Sequence, residues 1–174
     1  MKRDEWFYLK LLTIIFVGIC PYIIAICEWP LISLSSVWNT PLQPLFILMN
    51  AATSYFFFSM PLWRIPAICL MLLTAFSIKF YPGIHDILAI VFFISALRAM
   101  IIPSRFLEYV WLYIFGGVIA SSKAFGFRYG ILFGEVVSIT ALCLYHLEIL
   151  IYKQSLIKKR DKLSNNWPCD ERSN

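Results

Sequence analysis

Apolar residues fill the chain in six runs, and proline, glycine or charged residues separate each run from the next. The runs cover residues 7–27, 42–60, 64–80, 86–102, 107–122 and 129–152. Such runs are typical of membrane-spanning helices, because about 20 residues of α-helix cross the hydrocarbon core of a bilayer. The third and fifth runs are short for a span. We therefore predict an all-α membrane bundle of six transmembrane helices.

The last run carries two ionisable side chains, Glu135 and His146. An ionisable group costs at least about 2.5 kcal/mol at the bilayer centre, so it usually faces protein or a watery cavity. Eleven residues at about 100° each leave these two side chains within about 20° of one another, about three turns apart. Ser138 and Tyr145 are predicted on the same face. This polar stripe indicates either a functional site or polar groups that neighbouring helices satisfy.

The composition excludes an ordinary soluble domain, since 60% of the residues are hydrophobic and only 14% are charged. If the first run enters from the cytoplasm, that side receives twelve of the fifteen lysines and arginines. This positive-inside pattern predicts both termini in the cytoplasm, and it explains the net charge of +5 without a nucleic-acid partner. The six-span domain is predicted to cover 1–153. A basic polar tail, 154–174, is predicted to be disordered.

The same topology collects polar side chains on the non-cytoplasmic side of the bundle. They are Glu28 after the first run, His85 and Asp86 at the start of the fourth, Lys123 and Arg128 in the last loop, and Glu135. A carboxylate and an imidazole that share a half-buried pocket can perform general acid–base work or hold a polar headgroup. Asp86 could instead cap a helix, and the basic residues could simply extend to the interface.

Other polar residues of the runs are predicted to have structural roles. His146 lies about 16 Å deeper along its helix than Glu135, too far to join the outer pocket, so it is expected to bond within the bundle. Asn50 is expected to serve helix packing, with a place on a cavity wall as the alternative. Gly116 and Gly117 should let a neighbouring helix approach closely.

Motifs for cofactors and metals are missing from the sequence. The five cysteines show neither CxxC nor zinc spacing, and GxGxxG, P-loop, HExxH and GxSxG motifs are absent. We therefore expect no metal and no cofactor.

Several of these residues resemble a known family. His85-Asp86 with the apolar residues 87–93, followed by a closing span with Glu135 and His146, is similar to the six-span family of damage-regulated autophagy modulators. That family includes a post-GPI-attachment factor that takes part in lipid remodelling of GPI anchors. Residues 30–33, Pro-Leu-Ile-Ser, resemble the P-x-I-S element of its first luminal loop. Leu34 departs from the acidic residue that relatives often carry there.

This resemblance, which covers roughly residues 11–153, implies a function and a compartment. It implies a phospholipid or a GPI-linked lipid as substrate, acyl-chain remodelling as the process, and the Golgi or ER as location, with the plasma membrane as the alternative. His85, Asp86 and Glu135 would be catalytic. Glu28, Lys123 and Arg128 would bind the headgroup. An acyltransferase acting on lyso-GPI is one form of this function, and a non-catalytic regulator or scaffold with membrane-protein partners is the alternative.

Overall fold

The computed structural model describes residues 3–103 and 106–165 of the chain. Regular structure in these two ranges is helical, which confirms the all-α class. The α-helices are α1 (Arg3–Cys27), α2 (Gln43–Phe58), α3 (Arg64–Ala75), α4 (Pro82–Ile101), α5 (Leu107–Ser121) and α6 (Gly130–Asn165). Short 3₁₀ helices lie between them at Leu34–Asn39, which we call the loop helix, and at Pro61–Trp63 and Ser122–Phe125.

Three of the described helices are long and apolar enough to cross a membrane. These segments are Glu5–Cys27 of α1, Pro82–Ile101 of α4 and Gly130–Asp161 of α6. The other three helices have 16, 12 and 15 residues, so at about 1.5 Å per residue each is shorter than a hydrocarbon core of about 30 Å. α3 is the shortest because the chain turns at Ser77, whose carbonyl oxygen accepts hydrogen bonds from the Phe80 and Tyr81 N–H groups.

The six helices pack in chain order as a ring that α6 closes against α1. Tyr22 of α1 shares a 2.7 Å hydrogen bond with Thr140 of α6, and Gly18 lies beside Cys143, so these two helices run antiparallel. Short connections make neighbouring helices from α2 to α6 antiparallel. Since α2 and α6 then run the same way, α1 is antiparallel to α2 as well. The loop helix, the α3–α4 turn and the α5–α6 loop therefore meet at one end of the bundle, which we call the loop end.

α5 and α6 approach each other most closely, through glycine. A Cβ atom at Gly134 would lie 2.5 Å from the Gly116 carbonyl oxygen, and one at Gly116 would collide with the Ser138 hydroxyl. The predicted close approach is thus confirmed at Gly116, whereas Gly117 has open space beside it. The same packing corrects the prediction for Ser138 and Tyr145. Ser138 is buried against Gly116 of α5, and the buried Tyr145 donates a hydrogen bond to the Met100 carbonyl oxygen at the end of α4, so neither shares the face of Glu135.

The structure also differs from the prediction at the C-terminal side of α6. Residues 154–165 continue the helix, where a disordered tail is predicted from 154. The sequence explains the continuation, because this segment contains leucine, isoleucine, lysine and arginine, all compatible with helix, and no proline or glycine. Residues 166–174 lie outside the described residues.

Candidate functional site

A cavity of about 90 Å³ lies inside the helical ring. Its walls come from the loop helix and from every α-helix of the ring except α5, and most of the lining side chains are apolar. The polar lining residues are Thr13, Ser35, Asn50, Thr53, Glu135 and His146. Lysine, arginine and aspartate do not occur among the described residues that line it. The cavity therefore combines a long apolar wall with a few uncharged groups and one carboxyl group.

One face of α6 forms a continuous side of the cavity. The lining residues Glu135, Ile139, Leu142, Cys143 and His146 follow the spacing of one helical face. Glu135 and His146 thus share a face, as their spacing predicts. They also line one cavity, and about 16 Å along α6 separates them, as predicted from the helical rise.

Glu135 holds the first loop against the beginning of α6. Its Oε2 atom accepts a 2.6 Å hydrogen bond from the Leu34 N–H, and Leu34 itself is buried. Two residues earlier in the same segment, the Ile32 carbonyl oxygen accepts a 3.1 Å bond from the Leu132 N–H. That N–H is free to donate because the first turn of a helix has no carbonyl partners for it. Residues 32–34 are therefore fixed to α6, and Glu135 is both an anchor for this loop and a cavity wall.

His146 lies in an aromatic cage near the opposite end of the cavity. Its ring centroid is 4.3 Å from that of Trp63, 5.1 Å from that of Phe57 and 5.3 Å from that of Phe56. Both ring nitrogens are buried, and neither has a hydrogen-bond partner within the described part of the chain. The predicted bond within the bundle is thus not formed. A neutral imidazole offers one donor and one acceptor, so His146 has unused capacity for both.

Asn50 lies between these two residues in depth, on the facing helix α2. Its side chain is 5% exposed and lines the cavity. This position corresponds to the second of its two predicted roles, a place on a cavity wall.

His85 is buried in the first turns of α4 without lining the cavity. Its Nδ1 atom lies 2.8 Å from the Phe76 carbonyl oxygen, so Nδ1 carries the hydrogen and donates, and the buried Nε2 atom has no partner in the described ranges. Asp86 is exposed. It is no N-cap, because α4 already begins at Pro82, the first helical position that proline favours. His85 and Glu135 therefore lie at the same end of the bundle but have different partners. His85 bonds the Phe76 carbonyl oxygen, and Glu135 bonds the Leu34 N–H.

The predicted headgroup residues lie at the loop end but outside the cavity. Glu28 is half-buried just after α1, and Lys123 is exposed in the 3₁₀ helix Ser122–Phe125. Arg128 is exposed, and its guanidinium carbon lies 5.7 Å from the centroid of the Tyr129 ring. None of the three lines the cavity.

A second pocket at the loop end involves residues that the sequence analysis did not select. It measures about 290 Å³, and its polar lining residues are Trp38, Asn39, Gln43, Ser77, Lys79 and Tyr81. We call it the loop-end pocket. The first three belong to the loop helix and the start of α2, whereas Ser77 and Lys79 belong to the α3–α4 turn. No motif links these distant segments, so only the folded chain brings them together.

Metal chemistry and known relatives add no further candidate. In ranges 3–103 and 106–165, no group of three or more His, Cys, Asp or Glu side chains is placed to hold a metal ion. Comparisons with protein-family profiles, with curated proteins and with solved structures found no match to this chain. The family resemblance therefore stays a prediction.

Proposed function

We propose that the chain is a six-span membrane protein that holds the apolar part of a phospholipid or glycolipid in its central cavity. The cavity is the observation that carries this proposal. Its apolar wall with a few polar groups is the usual composition of a small-molecule site.

Apolar side chains on the outside of the three short helices support six spans. In each helix, large apolar side chains are roughly half exposed or more: Leu48 and Tyr55 of α2, Ile65 and Met71 of α3, and Trp111, Phe115 and Val118 of α5. A continuous apolar exterior of this kind suits lipid and is unusual for a soluble protein. Local thinning of the bilayer can accommodate the shorter helices.

The orientation follows from the positions of the basic residues on the folded bundle. Arg64, Arg98 and Lys153 lie at or near the end opposite the loop end, while Lys79 and Lys123 lie at the loop end. The positive-inside rule then favours the cytoplasm for both termini and the lumenal side for the loop end.

The specific process that we propose is acyl-chain remodelling of GPI anchors in the Golgi or ER. The family resemblance supports it, and so does the position of Glu135 on the wall of the largely apolar cavity. In this function Glu135 orients the bound lipid at the loop end. His85 and Asp86 do not line the cavity, so a catalytic role for them would require part of the lipid to extend beyond the cavity wall.

A non-catalytic regulator or scaffold is the second candidate, and two contacts favour it. Glu135 and His85, the predicted acid and base, each satisfy a buried backbone group, at Leu34 and Phe76. Such hydrogen bonds stabilise the fold, and this role does not depend on the transformation of a lipid. It is therefore also expected in a protein that only binds other membrane proteins.

Filling the cavity tests the lipid proposal. Ala89 lines the cavity, whereas Ala51 is exposed on the outside of α2. We expect the wild type, purified in mild detergent, to retain a lipid detectable by native mass spectrometry. Ala89→Trp should lose it, and the matched Ala51→Trp should keep it. Equal lipid content in all three proteins, or none in the wild type, would refute a lipid-holding cavity.

Lipid analysis of GPI anchors distinguishes remodelling from scaffolding. Cells without the chain should accumulate a GPI anchor with altered acyl composition, measured by mass spectrometry. An unchanged anchor profile would rule out the remodelling role and leave the scaffold.

A further inference from the structure

The loop-end pocket contains two buried polar atoms that have no partner in the described part of the chain. These are the indole Nε1 of Trp38 and the hydroxyl oxygen of Ser77. Ser77 is 7% exposed, and both residues line the pocket. An indole N–H can only donate, and leaving such a buried donor without an acceptor costs about 1–3 kcal/mol. A ligand that supplies acceptor atoms would remove this cost.

The remaining polar groups of the pocket favour an anion. Lys79 contributes an ammonium group, and Asn39 and Gln43 contribute amide donors, while no acidic side chain lines this pocket among the described residues. Gln43 is also the first residue of α2, a helix of 16 residues whose N-terminal end carries partial positive charge. Several donors, one cation and a helix N-terminus suit the oxygen atoms of a phosphate group.

The loop-end pocket adjoins the central cavity. Trp38 packs edge-on against Phe46, with 6.3 Å between the ring centroids, and Phe46 lines the cavity. Likewise, Leu73 of α3 lines the cavity, and Ala75 at the end of the same helix lines the pocket. A molecule with a phosphate in the pocket can therefore extend an apolar chain towards the cavity.

We propose that the loop-end pocket, through Lys79, Ser77 and Trp38, binds the phosphate of a membrane phospholipid whose acyl chain occupies the central cavity. This inference rests on the proposed lipid-binding function and names the headgroup chemistry that it requires. It also moves the headgroup site from the exposed Lys123 and Arg128 to the α3–α4 turn and the loop helix.

The test compares two lipids that share their acyl chains, phosphatidylinositol and diacylglycerol. Each is titrated into the full-length protein in detergent, and binding is followed by native mass spectrometry. We expect the wild type to prefer phosphatidylinositol, and Lys79→Gln to weaken its binding about tenfold or more, as the loss of one charge-assisted hydrogen bond predicts. Lys153→Gln is the matched control, because Lys153 is an exposed lysine of α6 outside the pocket, and it should bind like the wild type.

A second variant guards against a change in folding. Trp38→Phe keeps an aromatic ring beside Phe46 while it removes the indole donor and part of the ring, so it should lower phosphatidylinositol affinity about tenfold without a large change in melting temperature. Equal affinity of wild-type protein, Lys79→Gln and Trp38→Phe for phosphatidylinositol would overturn the inference.

Inorganic phosphate separates a lipid headgroup from a free anion. If phosphate alone binds the wild type but not Lys79→Gln, and the acyl chains add no affinity, the pocket is a free-phosphate site and the lipid assignment is overturned. Equal affinity of the wild type for diacylglycerol and phosphatidylinositol would refute the phosphate site but not the proposed lipid cavity. If the wild type bound neither lipid, the proposed lipid-binding function itself would be refuted.

Discussion

The anchor between Glu135 and the first loop predicts a measurable loss of stability. In Glu135→Ala the buried Leu34 N–H loses its 2.6 Å acceptor, and no other hydrogen-bond partner is seen for this N–H in the described structure. Hydrogen bonds to charged groups contribute about 1.5–3 kcal/mol, and an unsatisfied buried donor costs a similar amount. We therefore expect a loss of about 2–3 kcal/mol. For a chain of this size that lowers the melting temperature by about 4–12 °C.

Differential scanning fluorimetry in detergent measures the effect, and limited proteolysis locates it. The released loop should be cut within residues 28–42 in Glu135→Ala and not in the wild type. Glu135→Gln keeps an oxygen acceptor for Leu34, so it should lose only about 1 kcal/mol. Glu28→Ala is the control, since Glu28 lies half-buried beside the same loop, and surface changes usually stay within about 0.5 kcal/mol.

The glutamine variant also separates anchoring from chemistry. If Glu135 acts through its hydrogen bond to Leu34, Glu135→Gln should retain bound lipid as the wild type does. A carboxylate that takes part in proton transfer would leave the glutamine variant stable but inactive in remodelling. An unchanged melting temperature and unchanged proteolysis in Glu135→Ala would refute the anchoring argument.

Three further outcomes are expected. Gly134→Ala should destabilise the protein by at least about 1–3 kcal/mol because its Cβ collides with α5, whereas Gly117→Ala, with open space, should be neutral or stabilising by up to about 1 kcal/mol in the same melting assay. His146→Phe should leave the melting temperature unchanged or higher, since it removes two unpaired polar atoms from an aromatic cage; a marked drop would show that the ring nitrogens are bonded. In a background without other cysteines, an impermeant maleimide should label Ala124→Cys from the lumenal side only and Ser155→Cys from the cytoplasmic side only, and labelling of both from one side would refute the proposed topology.

Local pattern predicts the helices and the shared face of Glu135 and His146. Each apolar run contains one helix, because burial in lipid or protein favours a chain that satisfies its own backbone hydrogen bonds. The two side chains share a face because helical geometry alone fixes their angle. The lengths were less predictable, since hydropathy does not mark the turn at Ser77 that ends α3 early.

The partners of the polar side chains could not be predicted. His85 bonds Phe76 and Glu135 bonds Leu34, and both partners are backbone groups whose positions depend on where a turn or loop settles. Every residue carries such groups, so the sequence does not single them out. The loop-end pocket has the same origin, because Trp38 and Ser77 become neighbours only when α2 and α3 pack as a hairpin.

The length of α6 has a mechanical consequence. Its 36 residues make a rod of about 54 Å, well beyond the hydrocarbon thickness of about 30 Å. The same rigid rod carries Glu135 on the cavity wall and, about six turns further along, the basic residues Lys158 and Lys159. A tilt of α6 at the cavity would therefore displace the far end of the helix by a larger distance than it displaces Glu135.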